Sequence, residues 1–172
     1  CVVYLDFKSM YPSIFISYNI CPTTLMLKKD DIETVKTPYG SEFVSPEIKK
    51  GIFPKILISL MKDRDKVKVQ MKNCKNKGEK KVLDAKQYAL KIMANAFYGY
   101  TGYIRARLYI LDIANTITSC GRFIINKARE VANSVPNSEV IYGDTDSIMV
   151  EVKTKDLDKA FELGKILETT VN

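Results

Sequence analysis

Two aspartates standing two residues apart, in Tyr142-Gly143-Asp144-Thr145-Asp146-Ser147, are the residues of this chain best placed to do chemistry. Apolar residues precede them (Val140, Ile141) and follow them (Ile148, Met149, Val150), so the segment reads as a β-hairpin with a polar turn. On a strand's period of two, both carboxylates project to one side and Thr145 to the other. Like charges held so close repel, and at neutral pH either one carboxylate keeps its proton or a cation lies between them. A hard divalent ion suits the pair, since Mg2+ takes one or two carboxylates and completes its shell with water and substrate phosphate. The plainer alternative is an Asp-rich turn, where Asp serves local hydrogen bonding.

A third carboxylate, Asp6, ends the run Val2-Val3-Tyr4-Leu5, a strand by its β-branched and aromatic residues. With that strand beside the hairpin, three carboxylates meet at one end of a sheet, and two divalent ions are the natural resolution of their repulsion. Such a pair of ions suits an in-line displacement at phosphorus. Cations for the far phosphates are also present. Lys91, Asn95 and Tyr98 fall at i, i+4 and i+7 on one helical stripe, and Arg64 and Lys68 are stacked four apart on an earlier helix. Folding the two helices antiparallel brings Arg64 and Lys68 opposite Lys91, a constellation fit for a triphosphate. A pair of solvated helices is the alternative. The turn after Asp6 either offers unpaired backbone N–H groups to phosphate or is an ordinary strand–turn–helix with its aromatics in the core.

The elements that must position these residues follow from pattern. Pro12 suits the opening of a helix through Phe15, Ile16 and Tyr18 that stops before Pro22. Residues 28–50 are polar, carry Pro38, Gly40 and Pro46, and read as loops with a short hairpin. From Ile52 to about Lys72 the pattern is helical, with Ile56, Leu60, Val67 and Met71 spaced by roughly one turn or two. A turn over Asn73–Lys80, around Gly78, leads to a second helix from about Lys81 to Tyr98, packed through Leu90, Ile92, Met93 and Phe97. Tyr103–Ile110 reads as extended. Asp112 caps a helix to about Val135, with Ile113, Ile117, Ile124 and Val131 buried. A last helix from about Asp156 buries Leu157, Phe161, Leu163 and Leu167. The order is α+β in character.

Composition narrows the classes. A chain of 172 residues, 46% hydrophobic and 27% charged, is that of a globular protein with a real core. From Lys49 to Lys91, fourteen Lys or Arg stand against four Asp or Glu, so the net charge of +7 is concentrated there. That points to a polyanionic partner, or to a solvated helix surface. Four scattered cysteines without a C-x-x-C pair favour free thiols in a reducing compartment and argue against a zinc site. The absence of histidine excludes histidine bases, Ser-His-Asp triads and imidazole-ligated metals within the chain. No run approaches the ~18 apolar residues of a membrane span. The opening residues lack a basic start and an initiator Met, and both ends read as cuts from something longer.

Three segments together resemble motifs A, B and C of the family B DNA-dependent DNA polymerases, in the family's order and at about its spacing. They are Asp6-Phe7-Lys8-Ser9-Met10-Tyr11-Pro12-Ser13, Lys91-x-x-x-Asn95-x-x-Tyr98-Gly99 and Tyr142-Gly143-Asp144-Thr145-Asp146-Ser147. The resemblance implies an antiparallel palm sheet backed by helices, with an inserted two-helix fingers hairpin. Residues 1–47 and 101–172 would form the palm and 48–100 the fingers, without exonuclease or thumb. It implies template-directed DNA synthesis, adding dNTP to a primer 3′-OH, with two Mg2+ ions and Mn2+ as a substitute. Asp6 and Asp146 would be the chief metal ligands, Asp144 a further carboxylate, and the Phe7 carbonyl a ligand of the nucleotide-bound ion. The backbone at Ser9 and Met10, with Arg64, Lys68, Lys91 and nearby Asn95, would hold the triphosphate. Tyr98 would pack by the nascent base pair, and Tyr11 would exclude the ribose 2′-hydroxyl.

Met10 stands where the family usually has Leu, a volume-conserving exchange. The interval between motifs A and B has no large insertion, which favours a nucleic-acid primer over a protein one. Expected partners are primer–template DNA and dNTP, with a sliding clamp or the missing polymerase parts besides, and no membrane. The expected place is the nucleus for a eukaryotic source, and the cytoplasm for an archaeal, bacterial or viral-factory one. A reverse-transcriptase-like enzyme would typically carry two adjacent aspartates in motif C, where Thr145 intervenes here. A basic DNA-binding module with a decayed site would not keep every acid and every phosphate-gripping cation.

Overall fold

The computed structural model describes residues 1–28 and 31–171; residues 29 and 30 of the expected loop, and residue 172, lie outside them. In chain order the elements are β1 (Val2–Asp6), α1 (Met10–Ser17), β2 (Thr34–Lys36), β3 (Glu42–Val44), α2 (Ile52–Asn73), α3 (Lys77–Gly102), α4 (Leu111–Ser134), β4 (Ser138–Asp144), β5 (Ser147–Val152) and α5 (Leu157–Val171). The fold is α+β. Two compact units divide the chain: Cys1–Met10 with the chain from Ser119 onward, and Tyr11–Thr118.

The first unit is built on an antiparallel sheet in the order β1-β5-β4. Alternation does the sorting. Ile148, Val150 and Val152 of β5 are buried in a core with Ala128 and Ala132 of α4 and Ala160 and Leu167 of α5, and Val3, Leu5 and Phe7 pack against it. The intervening residues of β1, Tyr4 and Asp6, therefore lie on the opposite face of the sheet. The α5 stripe differs from the expected one. Leu167 is buried and Leu163 packs against the core as expected, but Leu157 and Phe161 are 68% and 72% exposed and Ala160 is buried in their place. On α4 the buried line runs through Ile113, Ile117, Cys120, Ala128 and Ala132, while Ile124 and Val131 are only half-buried.

The second unit holds α1, the β2–β3 hairpin, the long antiparallel α2–α3 pair and the start of α4. Helix α1 ends in a glycine-free Schellman motif. Ile20 N–H donates to the Phe15 carbonyl at 2.9 Å, Asn19 N–H donates to the Ile16 carbonyl at 3.3 Å, and Asn19 sits at φ +53°. Between α2 and α3 the turn is shorter than expected. Asn76 caps α3, its Oδ1 accepting from Gly78 N–H at 2.8 Å and Glu79 N–H at 3.3 Å, so Gly78 belongs to the first helical turn. The helix also runs through Gly99 to Gly102. Residues 103–110 form successive turns rather than an extended piece, with Ala106 N–H on the Tyr103 carbonyl and Tyr109 N–H on the Ala106 carbonyl. Strand-type residues without a neighbouring strand have nothing to hold them extended.

Candidate active site

Hydrogen-bond register fixes where the acids stand. Asp6 on β1 and Asp144 on β4 are both direct partners of Ser147 on β5, one from each side. Directly paired residues share a face, so Asp6 and Asp144 lie on the sheet face opposite the core. Their backbones are two strand spacings apart, roughly 10 Å. Asp146 is held by different means from those its spacing suggested. It is not a strand residue, because Thr145 and Asp146 form the turn itself, and strand alternation does not aim its side chain. Its carbonyl accepts from Phe7 N–H at 2.8 Å, which extends the β1–β5 ladder by one rung and ties the hairpin tip to the end of β1.

The turn is locally constrained. Thr145 sits at φ +47°, a left-handed conformation that a β-branched residue rarely adopts. Its Oγ1 donates to Asp144 Oδ1 at 3.0 Å, and Ser147 Oγ donates to the Asp144 carbonyl at 3.2 Å. Two hydroxyls thus fix Asp144 from either side of the turn. Asp6 and Asp144 are exposed and Asp146 is half-buried.

Among the described residues, no three His, Cys, Asp or Glu side chains are grouped closely enough to enclose a metal ion by themselves. The donors at this sheet end are nevertheless hard oxygens, from the exposed carboxylates of Asp6 and Asp144 and from the adjacent backbone. That set suits Mg2+, which rarely occupies an all-protein cage and completes its shell with water and phosphate.

The second unit carries the cations and the tyrosines. Arg64 Nε donates to Gln87 Oε1 at 3.3 Å, which sets the level of α2 against α3. On an antiparallel pair this places Lys91 one turn to one side of Arg64 and Lys68 one turn to the other, about 12 Å apart along the axes. Lys91 and Asn95 are exposed; Arg64, Lys68 and Tyr98 are half-buried. Phe53, Leu57 and Val67 of α2 and Ala94 and Thr101 of α3 are buried, whereas Ile92 and Met93, expected inward, are 52% and 53% exposed. Tyr11 and Tyr98 stack with ring centroids 4.7 Å apart.

Asn19 has a role that pattern reading missed. Its side chain is wholly buried, donating to the Val44 carbonyl at 2.7 Å and the Lys49 carbonyl at 2.9 Å and accepting from Gly51 N–H at 2.8 Å. Gly51 is the N-cap of α2, and a Cβ there would come within 2.7 Å of Cys21 Cβ. Asn19 therefore seats the start of the helix that carries Arg64 and Lys68. The available signal was an Asn just beyond a helix end, one of the few residues suited to a left-handed cap.

An acidic strand end joined by hydrogen-bond register, on an α+β scaffold, has a close structural counterpart. The chain superposes on the structure of the family B DNA polymerase from the archaeon Pyrobaculum calidifontis with a TM-score of 0.78 and 36% identity, over 98% of this chain and 22% of that one. Residues 1–172 match DNA polymerase family B as a whole. The chain belongs to DNA polymerase family B. It is 44% identical to the DNA polymerase delta catalytic subunit of Plasmodium falciparum over 178 aligned positions, and 42% identical to that of Schizosaccharomyces pombe over 177. Each alignment covers 94% of this chain and 16% of the relative, so the chain spans about one sixth of those proteins.

Proposed function

We propose that this chain carries the nucleotidyl-transfer centre of a DNA-directed DNA polymerase, with residues 1–47 and 101–172 as palm and 48–100 as fingers. The observation that carries the reading is the joining of Asp6, Asp144 and Asp146 at one sheet end. They are brought there by the pairing to Ser147 and by the Phe7 N–H bond to the Asp146 carbonyl. Asp6 and Asp146 would hold two Mg2+ ions, with Asp144 and the Phe7 carbonyl as further oxygen donors. Bound there, the ions would stabilise the attacking and leaving oxygens of an in-line displacement.

The other residues orient the nucleotide. Arg64, Lys68 and Lys91 neutralise the far phosphates, and Asn95 lies beside Lys91 on the same stripe. The backbone at Ser9, held at φ +55°, and at Met10 would offer N–H groups to phosphate oxygens. Tyr98 borders the nascent pair, and Tyr11 closes the space that a 2′-hydroxyl would need. The partners are primer–template DNA and dNTP. The four cysteines are free thiols, which suits a reducing compartment, the nucleus for an enzyme like the delta subunits. No helix among the described residues is long and apolar enough to cross a membrane.

The test is primer extension by the intact polypeptide carrying Asp146→Asn. Extension should vanish while folding, followed by circular dichroism, is retained. Extension at the unsubstituted rate would remove Asp146, and the paired-ion centre with it.

A further inference from the structure

A ring that excludes a hydroxyl works only if it cannot swing aside. The energetic difference between deoxyribose and ribose at such a gate is the cost of moving the ring, so whatever braces the ring sets the selectivity. Tyr11 lies in the first turn of α1, on the same face as Phe15 four residues on. Tyr98 lies on α3 next to Phe97. Between these two helices run two aromatic contacts. Phe15 meets Phe53 edge-on at 6.1 Å, and Phe53 meets Phe97 edge-on at 5.4 Å, which fastens α1, α2 and α3 to one another. Beside that fastening, Tyr11 stacks on Tyr98 at 4.7 Å with an interplanar angle of 33°.

We infer that Tyr98 is a positioning residue for sugar selection, acting through the Tyr11 ring rather than by touching the sugar. The inference rests on the reading of Tyr11 as the sugar gate. It is distinct from the contact of Tyr98 with the nascent base pair. Tyr98 is half-buried, within a helix fastened to α2 through the Phe53–Phe97 contact one residue away. Removal of the Tyr98 ring lets the Tyr11 ring reach rotamers that clear a 2′-hydroxyl.

The experiment measures kcat/KM for matched dNTP and NTP in the intact polypeptide, and takes their ratio so that any loss of overall rate cancels. Tyr98→Leu removes the ring and should lower the ratio roughly two- to tenfold, the range expected for an aromatic pair. Tyr98→Phe keeps the stack and should keep the ratio. In a Tyr11→Ala background, Tyr98→Leu should change the ratio no further. An unchanged ratio in Tyr98→Leu, or an equal drop with and without Tyr11, would overturn the inference. A Tyr11→Ala enzyme with unaltered sugar choice would instead overturn the gate itself, so the two failures are told apart.

Discussion

The β4–β5 hairpin holds its acids through the backbone, whereas the α2–α3 hairpin holds its cations at the ends of long side chains. Asp6, Asp144 and Asp146 are set by ladder hydrogen bonds to and around Ser147, and their short side chains leave little play. The level of α2 against α3 is set by the bond from Arg64 to Gln87, and the charges of Arg64, Lys68 and Lys91 lie at the ends of long side chains. Under the proposed function, chemistry that needs oxygens fixed to a fraction of an ångström would sit on the sheet. Charge that needs only to be nearby would sit on the helices, where a bound triphosphate could gather it.

Breaking the sheet end should therefore cost most. Asp6→Asn removes one charge from an exposed side chain and leaves the ladder intact. It is expected to lower the dNTP incorporation rate by roughly 10³-fold, with stability to urea changed by no more than about 0.5 kcal/mol. A comparable loss in both quantities would mean that Asp6 is structural. Breaking the helical side should show chiefly in binding. Lys91→Ala is expected to raise the KM for dNTP roughly tenfold to a hundredfold, the scale of a charge-assisted hydrogen bond, and Lys91→Arg should recover part of it. Lys68→Ala, a further two turns along the pair, should raise KM less. An effect on kcat alone from Lys91→Ala would place that lysine at the reacting phosphorus instead of on the distal phosphates.

The same contrast explains what could be read from residues alone. A strand has two faces and a hairpin has one turn, so alternation around Asp6 and Asp144 leaves few arrangements to choose from. Asp146 escaped that logic because the turn took two residues, and its position came from a bond to Phe7 that no local pattern displays. Helices with apolar residues on several sides are harder. On α5, Leu157 and Phe161 fit a helical stripe with Leu163 and Leu167, yet the face that packs on the sheet core takes Ala160 with Leu163 and Leu167 and leaves the other two exposed. On α3, Ile92 and Met93 were equally good candidates for burial, and the partner helix selected Ala94. Gly78 and Gly99 suggested breaks, yet an Asn76 cap and tertiary packing outweigh a glycine penalty of about 1 kcal/mol. Asn19 was invisible to any rule that sends amides to the surface.

Asn19 also offers a way to loosen the helical hairpin without touching a cation. Asn19→Ala leaves the Val44 and Lys49 carbonyls and the Gly51 N–H without their partner. The expected loss is about 3 kcal/mol of folding stability, measured by urea unfolding. Gly51→Ala, forced against Cys21 Cβ, should lose about 1–3 kcal/mol. In both variants the KM for dNTP should rise more than kcat falls, because the start of α2 shifts while the sheet end does not. A loss confined to kcat would show that this seat supports the acids rather than the cations.

The smallest effect is expected at Thr145, where strain and orientation oppose each other. Glycine relieves the positive φ that a β-branched side chain resists, a gain of about 1 kcal/mol. It also gives up the bond from Thr145 Oγ1 to Asp144 Oδ1 and adds freedom to the unfolded chain. These terms nearly cancel, so Thr145→Gly should leave stability within about 1 kcal/mol of the unsubstituted chain. Incorporation should nonetheless fall several-fold, since the Asp144 carboxylate has lost the hydroxyl that orients it, and Thr145→Ser should restore most of the rate. If glycine and serine behave alike, the backbone alone positions Asp144, and the sheet end owes its order entirely to its ladder.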